Sequence, residues 1–137
     1  MKYLKPLSLI VVVLLFAAFS CKTAQKANTP ESVAKRFLEH FSKLEFDKAA
    51  ELGTADTRRM IEFMGSLADM AKEKGADSSF KGKAINVEIV RTVVDGKVAV
   101  VYYKDQTGKE QRINLLKQDG KWLVDMKKED PMMKGKS

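Results

Sequence analysis

The stretch INVEIVRTVVDGKVAVVYYKDQTGKEQRINLLKQDGKWLVDM (residues 85–126) decides the fold of this chain. Apolar and polar residues alternate from Ile85 to Ile89, which is typical of a half-buried strand. Asp95-Gly96 and Asp119-Gly120 are hairpin signals, and Gln106-Thr107-Gly108 provides a turn between them. The stretch therefore predicts four consecutive strands that pair as an antiparallel meander.

Two of these strands indicate which face of the sheet is buried. The second strand, Val98–Tyr103, is so rich in apolar residues that we expect it to be central and covered on both faces. Tyr102 and Tyr103 are consecutive, so their side chains should lie on opposite faces. Alternation in the last strand places three large apolar residues on one face: Trp122, Val124 and Met126.

Helical spacing precedes the strands. Thr29-Pro30 predicts a helix start with Thr29 as the N-cap, and an apolar stripe then continues to Leu44. A short second helix is predicted over 47–52, and a third from Asp56 to Lys74. The buried stripe expected on the third helix consists of Met60, Ile61, Met64, Leu67, Ala68 and Ala71.

Helices followed by an antiparallel sheet indicate an α+β domain, with the N-terminal helices packed on one face of the sheet. We expect a curved four-stranded antiparallel sheet, because a concave surface buries the apolar stripes of the helices. The domain is assigned to residues 29–127. Residues 128–137 are predicted to form a disordered basic tail.

The N-terminal segment, residues 1–20, has the three parts of a bacterial signal peptide. Two lysines precede an apolar run over 7–19 that is too short to span a bilayer comfortably. Small residues ending at Ser20 lead to Cys21. This arrangement resembles a lipobox, the motif in which the signal peptide is cleaved immediately before a lipid-modified cysteine. We expect lipid on Cys21 and a flexible tether over 21–28. The alternatives are an ordinary signal peptide with an incidental cysteine and an uncleaved anchor.

Composition limits the classes of partner and cofactor. The chain has 137 residues, a formal net charge of +7 and one cysteine, so an internal disulfide and paired-cysteine zinc sites are excluded. Export excludes nucleic acid as a partner, and the expected partner is a membrane, through lipid on Cys21. By resemblance to known sorting rules, Lys22 favours the periplasmic face of the outer membrane. A contact between the lysine-rich surface and lipid phosphates is an alternative to a simply solvated face.

Three motifs follow one another between residues 29 and 126: the Thr29-Pro30 helix start, Phe46-Asp47-Lys48-Ala49-Ala50, and the closing Asp119-Gly120-Lys121-Trp122. Together they resemble the nuclear transport factor 2-like superfamily and, more narrowly, its short uncharacterised bacterial lipoproteins. The resemblance implies a cone-shaped, cystatin-like domain with a pocket between helices and sheet. It does not imply one reaction, because fold does not fix function.

Five residues are candidates for lining such a pocket: His40, Met64, Tyr102, Tyr103 and Trp122. His40 is the single histidine and should be half-buried beside the apolar stripe of the first helix. A packing role is the simpler interpretation for each of the five. The chain has no nucleophile motif, phosphate-binding glycine loop or metal-ligand spacing, so neither a cofactor nor a metal is predicted.

These observations predict a lipid-anchored protein of the cell envelope. Its domain should act as a non-catalytic module that binds a small amphipathic ligand or an envelope protein. One alternative is an enzyme of the isomerase or dehydratase type that uses a pocket His, Asp or Tyr; a carboxylate within hydrogen-bond reach of a buried tyrosine would favour it. The other is a structural or adhesive surface lipoprotein, favoured by an exposed apolar patch on the open face of the sheet.

Overall fold

The computed structural model describes residues 27–75 and 82–127. Within these ranges the helices are α1 (Pro30–Ser42), α2 (Phe46–Ala50) and α3 (Ala55–Glu73), and the strands are β1 (Glu88–Asp95), β2 (Val98–Lys104), β3 (Glu110–Gln118) and β4 (Lys121–Val124). The strands pair antiparallel in the order β1-β2-β3-β4. The predicted α+β class and the antiparallel meander are confirmed.

Several predictions concern residues outside the described ranges. The signal peptide over 1–20, the lipid on Cys21, residues 21–26 of the tether and the basic tail over 128–137 all lie there, and they stay predictions. Between residues 27 and 127, leaving out 76–81, no helix is long and apolar enough to cross a bilayer.

α1 begins as its sequence predicts. Thr29 has an extended backbone, with φ −103° and ψ 157°, and its hydroxyl accepts a hydrogen bond from the Ser32 N–H at 3.2 Å. Pro30 occupies the first turn, where a missing N–H costs nothing. α1 lies across all four strands and buries its apolar stripe against them.

One hydrophobic core joins the three helices and the inner face of the sheet. Trp122, Val124 and Met126 are all buried in it, as the alternation in the last strand predicts. Tyr103 is buried on the inner face of β2, and Tyr102 is half-buried on the outer face. The predicted separation of the two tyrosines is therefore confirmed.

Three details of the sequence-based prediction are wrong. β2 is central but covered on one face only: on its outer face Val98 is 46% exposed, because the described helices all lie on the other side of the sheet. β1 begins at Glu88 rather than at Ile85, and a bulge between Ile89 and Arg91 shifts its register. Leu67 on α3 is 49% exposed. This helix packs mainly on the five-residue α2, which is too short to cover a helix of 19 residues.

A buried threonine attaches the start of α3 to the segment after β4. The Thr57 side chain is fully buried, and its hydroxyl oxygen accepts the Met126 N–H at 2.8 Å. The Thr54 hydroxyl lies 3.0 Å from that of Thr57 and caps α3. These bonds satisfy polar groups that would otherwise be buried without partners.

Candidate functional site

An apolar cleft opens where α1 ends beside the loop that joins β2 to β3. Its volume is about 330 Å³. Its wall is formed by Leu38, Phe41, Ile85 and Tyr103, and its rim by Ser42, Asp105, Gln106 and Thr107. An apolar wall with a few polar groups at the mouth suits a small molecule that has an apolar body and a polar end.

Local structure explains why these residues meet. Leu38 and Phe41 lie three positions apart on α1 and therefore share one helical face. Tyr103 lies on the inner face of β2, next to Ile89 on the neighbouring strand. Lys83 approaches the end of α1, where its N–H donates to the Ser42 carbonyl at 2.9 Å, and this contact brings Ile85 to the cleft.

The rim is organised by Asp105. Its Oδ1 accepts the N–H and hydroxyl of Thr107, at 2.8 Å and 2.6 Å, and the Lys109 N–H at 3.1 Å. Its Oδ2 accepts from Nε2 of Gln111 at 3.1 Å. These hydrogen bonds, first those from Thr107, lower the pKa of Asp105 to about 2. A carboxylate so fully engaged organises the loop and is a poor proton acceptor at neutral pH.

A second, larger groove of about 610 Å³ lies between α2 and α3. Its lining is mainly polar and carries both signs of charge, with Glu45, Glu62 and Asp69 near Lys48 and Lys72. Such a groove offers a ligand little apolar surface to desolvate. We therefore regard the smaller apolar cleft as the better candidate site.

His40 stands beside this polar groove and not in the apolar cleft. Its Nδ1 lies 2.6 Å from Oε2 of Glu45, and Oε1 of Glu45 accepts from Nζ of Lys48 at 2.7 Å. The His40 side chain is 22% exposed, so the predicted half-burial is confirmed. Hydrogen bonds from Lys48 and then from His40 lower the pKa of Glu45 to about 2.

The five predicted candidates do not form one site. Tyr103 lines the apolar cleft, whereas Trp122 is buried in the core and Met64 packs against it. Tyr102 lies on the outer face of the sheet, where the Arg91 guanidinium stacks 3.6 Å from the centre of its ring. His40 pairs with Glu45 elsewhere.

Two polar features near the clefts escaped the sequence analysis. The sequence predicts a turn at Gln106-Thr107-Gly108, and the aspartate two residues before the threonine is in addition a signal of a side-chain cap of the loop. Glu45 carries no such signal, because its contact with His40 depends on the chain reversing after α1. In the part of the chain that the structure describes, no group of three or more His, Cys, Asp or Glu side chains is arranged to hold a metal ion.

No protein-family model matches the chain, and no curated protein matches it. Two solved structures show a partial likeness. One is described as an NTF2-like transpeptidase from Campylobacter jejuni, with 18% identity over 72% of this chain and 99% of that one, at a TM-score of 0.46. The other is a SEC-C motif containing protein from Rhodopseudomonas palustris, with 16% identity over 74% of this chain and 79% of that one, also at 0.46. Values this low carry no argument about fold or activity.

Proposed function

We propose that this protein is a lipid-anchored component of the cell envelope whose nuclear transport factor 2-like domain binds a small amphipathic ligand without transforming it. The apolar cleft is the observation that carries the proposal. Its wall of Leu38, Phe41, Ile85 and Tyr103 and its polar rim match the surface of a ligand with one apolar and one polar part. A volume of about 330 Å³ limits the apolar part to a small molecule.

The polar groups near the cleft support binding rather than catalysis. Asp105 and the buried Tyr103 both line the cleft, and the enzyme hypothesis requires a carboxylate such as Asp105 within hydrogen-bond reach of the tyrosine. However, its two oxygens already accept four hydrogen bonds, and its pKa is lowered to about 2. His40 belongs to the other groove. A general base needs a pKa near the working pH, and the pKa of Asp105 lies far below it.

Binding of the fluorescent probe 1-anilinonaphthalene-8-sulfonate tests the cleft. Ile85→Asn places an amide on the apolar wall, and Val90→Asn makes the same kind of change at an exposed position of β1 outside the cleft. We expect Ile85→Asn to weaken the probe's affinity by roughly tenfold, or about 1.4 kcal/mol, and Val90→Asn to leave it unchanged. Circular dichroism checks that both variants are folded. Equal affinity of wild type and Ile85→Asn would count against the cleft.

Cys21 carries the proposed anchor. Two or more acyl chains would bury enough methylene groups to hold the protein stably at a membrane. In Cys21→Ala, we expect a protein mass that lacks the acyl chains and retains residues 1–20, because the cleavage depends on the lipid-modified cysteine. A mass that differs from that of the wild type only by the exchanged side chain would overturn the lipoprotein assignment. Protection from external protease until the outer membrane is permeabilised would support a periplasmic location, and separation of the two membranes by density would show whether the protein is held at the outer one.

One observation favours a protein partner as the second candidate. Phe63, Leu67 and Met70 recur along one face of α3 and are 64%, 49% and 52% exposed. Exposed apolar residues at this spacing are typical of a helix face that packs on another protein. A photo-crosslinker at Leu67 should then give a discrete adduct in cells, while one at the exposed Lys35 of α1 should not. Identical patterns from both positions would exclude this surface.

A further inference from the structure

The predicted tether enters the folded domain at a defined place. Oδ1 of Asn28 accepts the backbone N–H of Trp122 at 2.7 Å, and its Nδ2 donates to the Trp122 carbonyl at 3.5 Å. The asparagine side chain therefore pairs with the edge of β4 much as a neighbouring strand would. Trp122 lies two residues after Gly120 in the turn between β3 and β4.

Both hairpin turns lie at this end of the sheet. The turn between β1 and β2 contains Gly96 and Lys97, and the Lys97 carbonyl accepts the Lys117 N–H of β3 at 2.7 Å. We call residues 93–98 and 117–121 the hairpin end. The apolar cleft is at the opposite end, beside the loop between β2 and β3. β2 has seven residues, so the two ends are separated by roughly 20 Å at about 3.3 Å per residue.

The length of the tether limits how far the hairpin end can lie from a lipid on Cys21. Seven Cα–Cα steps separate Cys21 from Asn28. At about 3.6 Å per residue, the fully extended chain reaches roughly 25 Å. Because the tether enters the domain beside the hairpin end, it allows that end to reach the membrane surface, and the cleft lies roughly 20 Å farther along the sheet.

The surface of the hairpin end has the chemistry of a membrane contact. Val93, Val94 and Val98 are 50%, 52% and 46% exposed. Three exposed lysines, Lys97, Lys117 and Lys121, surround them, and within the described residues none of the three ammonium groups forms an ion pair. Asp95 and Asp119 are the acidic residues at this end. The Lys117 ammonium lies 5.6 Å from the centre of the Trp122 ring and its side chain remains exposed. Exposed aliphatic side chains beside lysines that have no carboxylate partner among the described residues suit the interface of a bilayer that contains anionic lipid.

We propose that the hairpin end rests on the surface of an anionic phospholipid bilayer and directs the apolar cleft away from it. The inference rests on the proposed lipid anchor, because three lysines and three valines bind weakly on their own and gain from being held close to the surface. Contact between the hairpin end and the bilayer explains why large apolar side chains remain exposed beside the point where the tether enters the domain. It also gives the cleft free access to ligands in the surrounding compartment.

Two matched cysteine variants of the full, lipidated protein test the orientation. Gln118→Cys lies at the hairpin end and Gln106→Cys at the cleft end, and both native side chains are exposed. Because Cys21 is the single native cysteine and its sulfur would carry the lipid, each variant offers one free thiol for a nitrobenzoxadiazole label. The labelled proteins are reconstituted in vesicles of phosphatidylethanolamine and phosphatidylglycerol that contain a headgroup nitroxide quencher.

We expect quenching to be several-fold stronger at position 118 than at position 106. Reversing the charges in Lys97→Glu/Lys117→Glu/Lys121→Glu should remove most of this difference while the protein still floats with the vesicles. Equal quenching at both positions, in protein that floats with the vesicles, would overturn the docking proposal and leave the anchor intact. Failure of the protein to float would overturn the anchor and the docking proposal together.

Discussion

Oε2 of Glu45 lies 2.6 Å from Nδ1 of His40, although α1 ends between the two residues. The contact exists because the chain reverses directly after the helix. The Glu45 N–H donates to the His40 carbonyl at 2.9 Å, and the Leu44 N–H donates to the Phe41 carbonyl at 3.1 Å. This is a Schellman motif, and its left-handed position is occupied by Leu44 with φ 60°, where glycine is usual.

The left-handed backbone at Leu44 predicts an unusual order of stability. Leu44→Ala and Leu44→Gly lose the same side-chain contacts, but only the glycine relieves the conformational strain. We expect Leu44→Gly to be more stable than Leu44→Ala by about 1 kcal/mol. At the exposed Lys35 in the middle of α1, the order should reverse, with glycine less stable than alanine by about 1 kcal/mol. Urea unfolding compares the stability of the four variants. If the alanine variant were the more stable one at both positions, the left-handed conformation of Leu44 would be contradicted.

The ion pair of Glu45 predicts a pH-dependent contribution to stability. The folded pKa of about 2 is below the 4.5 of an unperturbed glutamate, so the unfolded state binds more protons. The stabilisation is therefore complete above about pH 4.5 and is lost as the pH falls toward about 2. Wild type should exceed Glu45→Gln in urea midpoint at about pH 6, and the gap should narrow steadily below about pH 4.5. Glu51→Gln controls for the loss of one negative charge. A gap that stays constant down to about pH 3 would refute the prediction.

We expect the loss of the Thr57 hydroxyl to lower the free energy of unfolding even when the shape of the side chain is kept. Thr57→Val keeps the shape of the side chain but leaves the Met126 N–H without its acceptor in a buried position. We expect a loss of about 1–3 kcal/mol. Thr57→Ser keeps the acceptor and removes one buried methyl group, at a cost of about 1 kcal/mol. Chemical denaturation compares the two, and a serine variant less stable than the valine variant would show that packing dominates.

At Gly82, the chain that leads into β1 passes close to the backbone at the end of α1. A Cβ at this position would overlap the backbone carbonyl of Lys43. Gly82→Ala should therefore displace the segment that carries Ile85 to the cleft and destabilise the domain by about 1–3 kcal/mol. Lys83→Ala, at the exposed neighbouring position, should change stability by less than about 0.5 kcal/mol. Thermal unfolding measures the stability of both variants. Equal losses would show that a glycine is not required at position 82.

The features that depend on local sequence were predictable. Thr29-Pro30 determines the start of α1, and the Asp-Gly pairs place both hairpin turns, so the α+β class and the order of the strands follow from short-range patterns. Alternation likewise places Tyr102 and Tyr103 on opposite faces.

Features that depend on long-range packing were not predictable. The apolar density of Val98–Tyr103 suggested cover on both faces, but apolar residues do not show which element lies opposite them. Leu67 fits the apolar period of α3 and is nevertheless exposed, because α2 is short. The pairing of His40 with Glu45 depends on the left-handed backbone of Leu44. A leucine gives no indication of this conformation in the sequence.

Native mass spectrometry of the full protein, isolated from the membranes of its own host, tests ligand binding most directly. Gln106→Trp should fill the mouth of the cleft, and Gln118→Trp makes the same change at the opposite end of the sheet. We expect wild type and Gln118→Trp to carry one reproducible extra mass that is lost on denaturation, and Gln106→Trp to lack it. A bare wild-type mass, or an adduct that persists in Gln106→Trp, would contradict a ligand-binding role for the cleft.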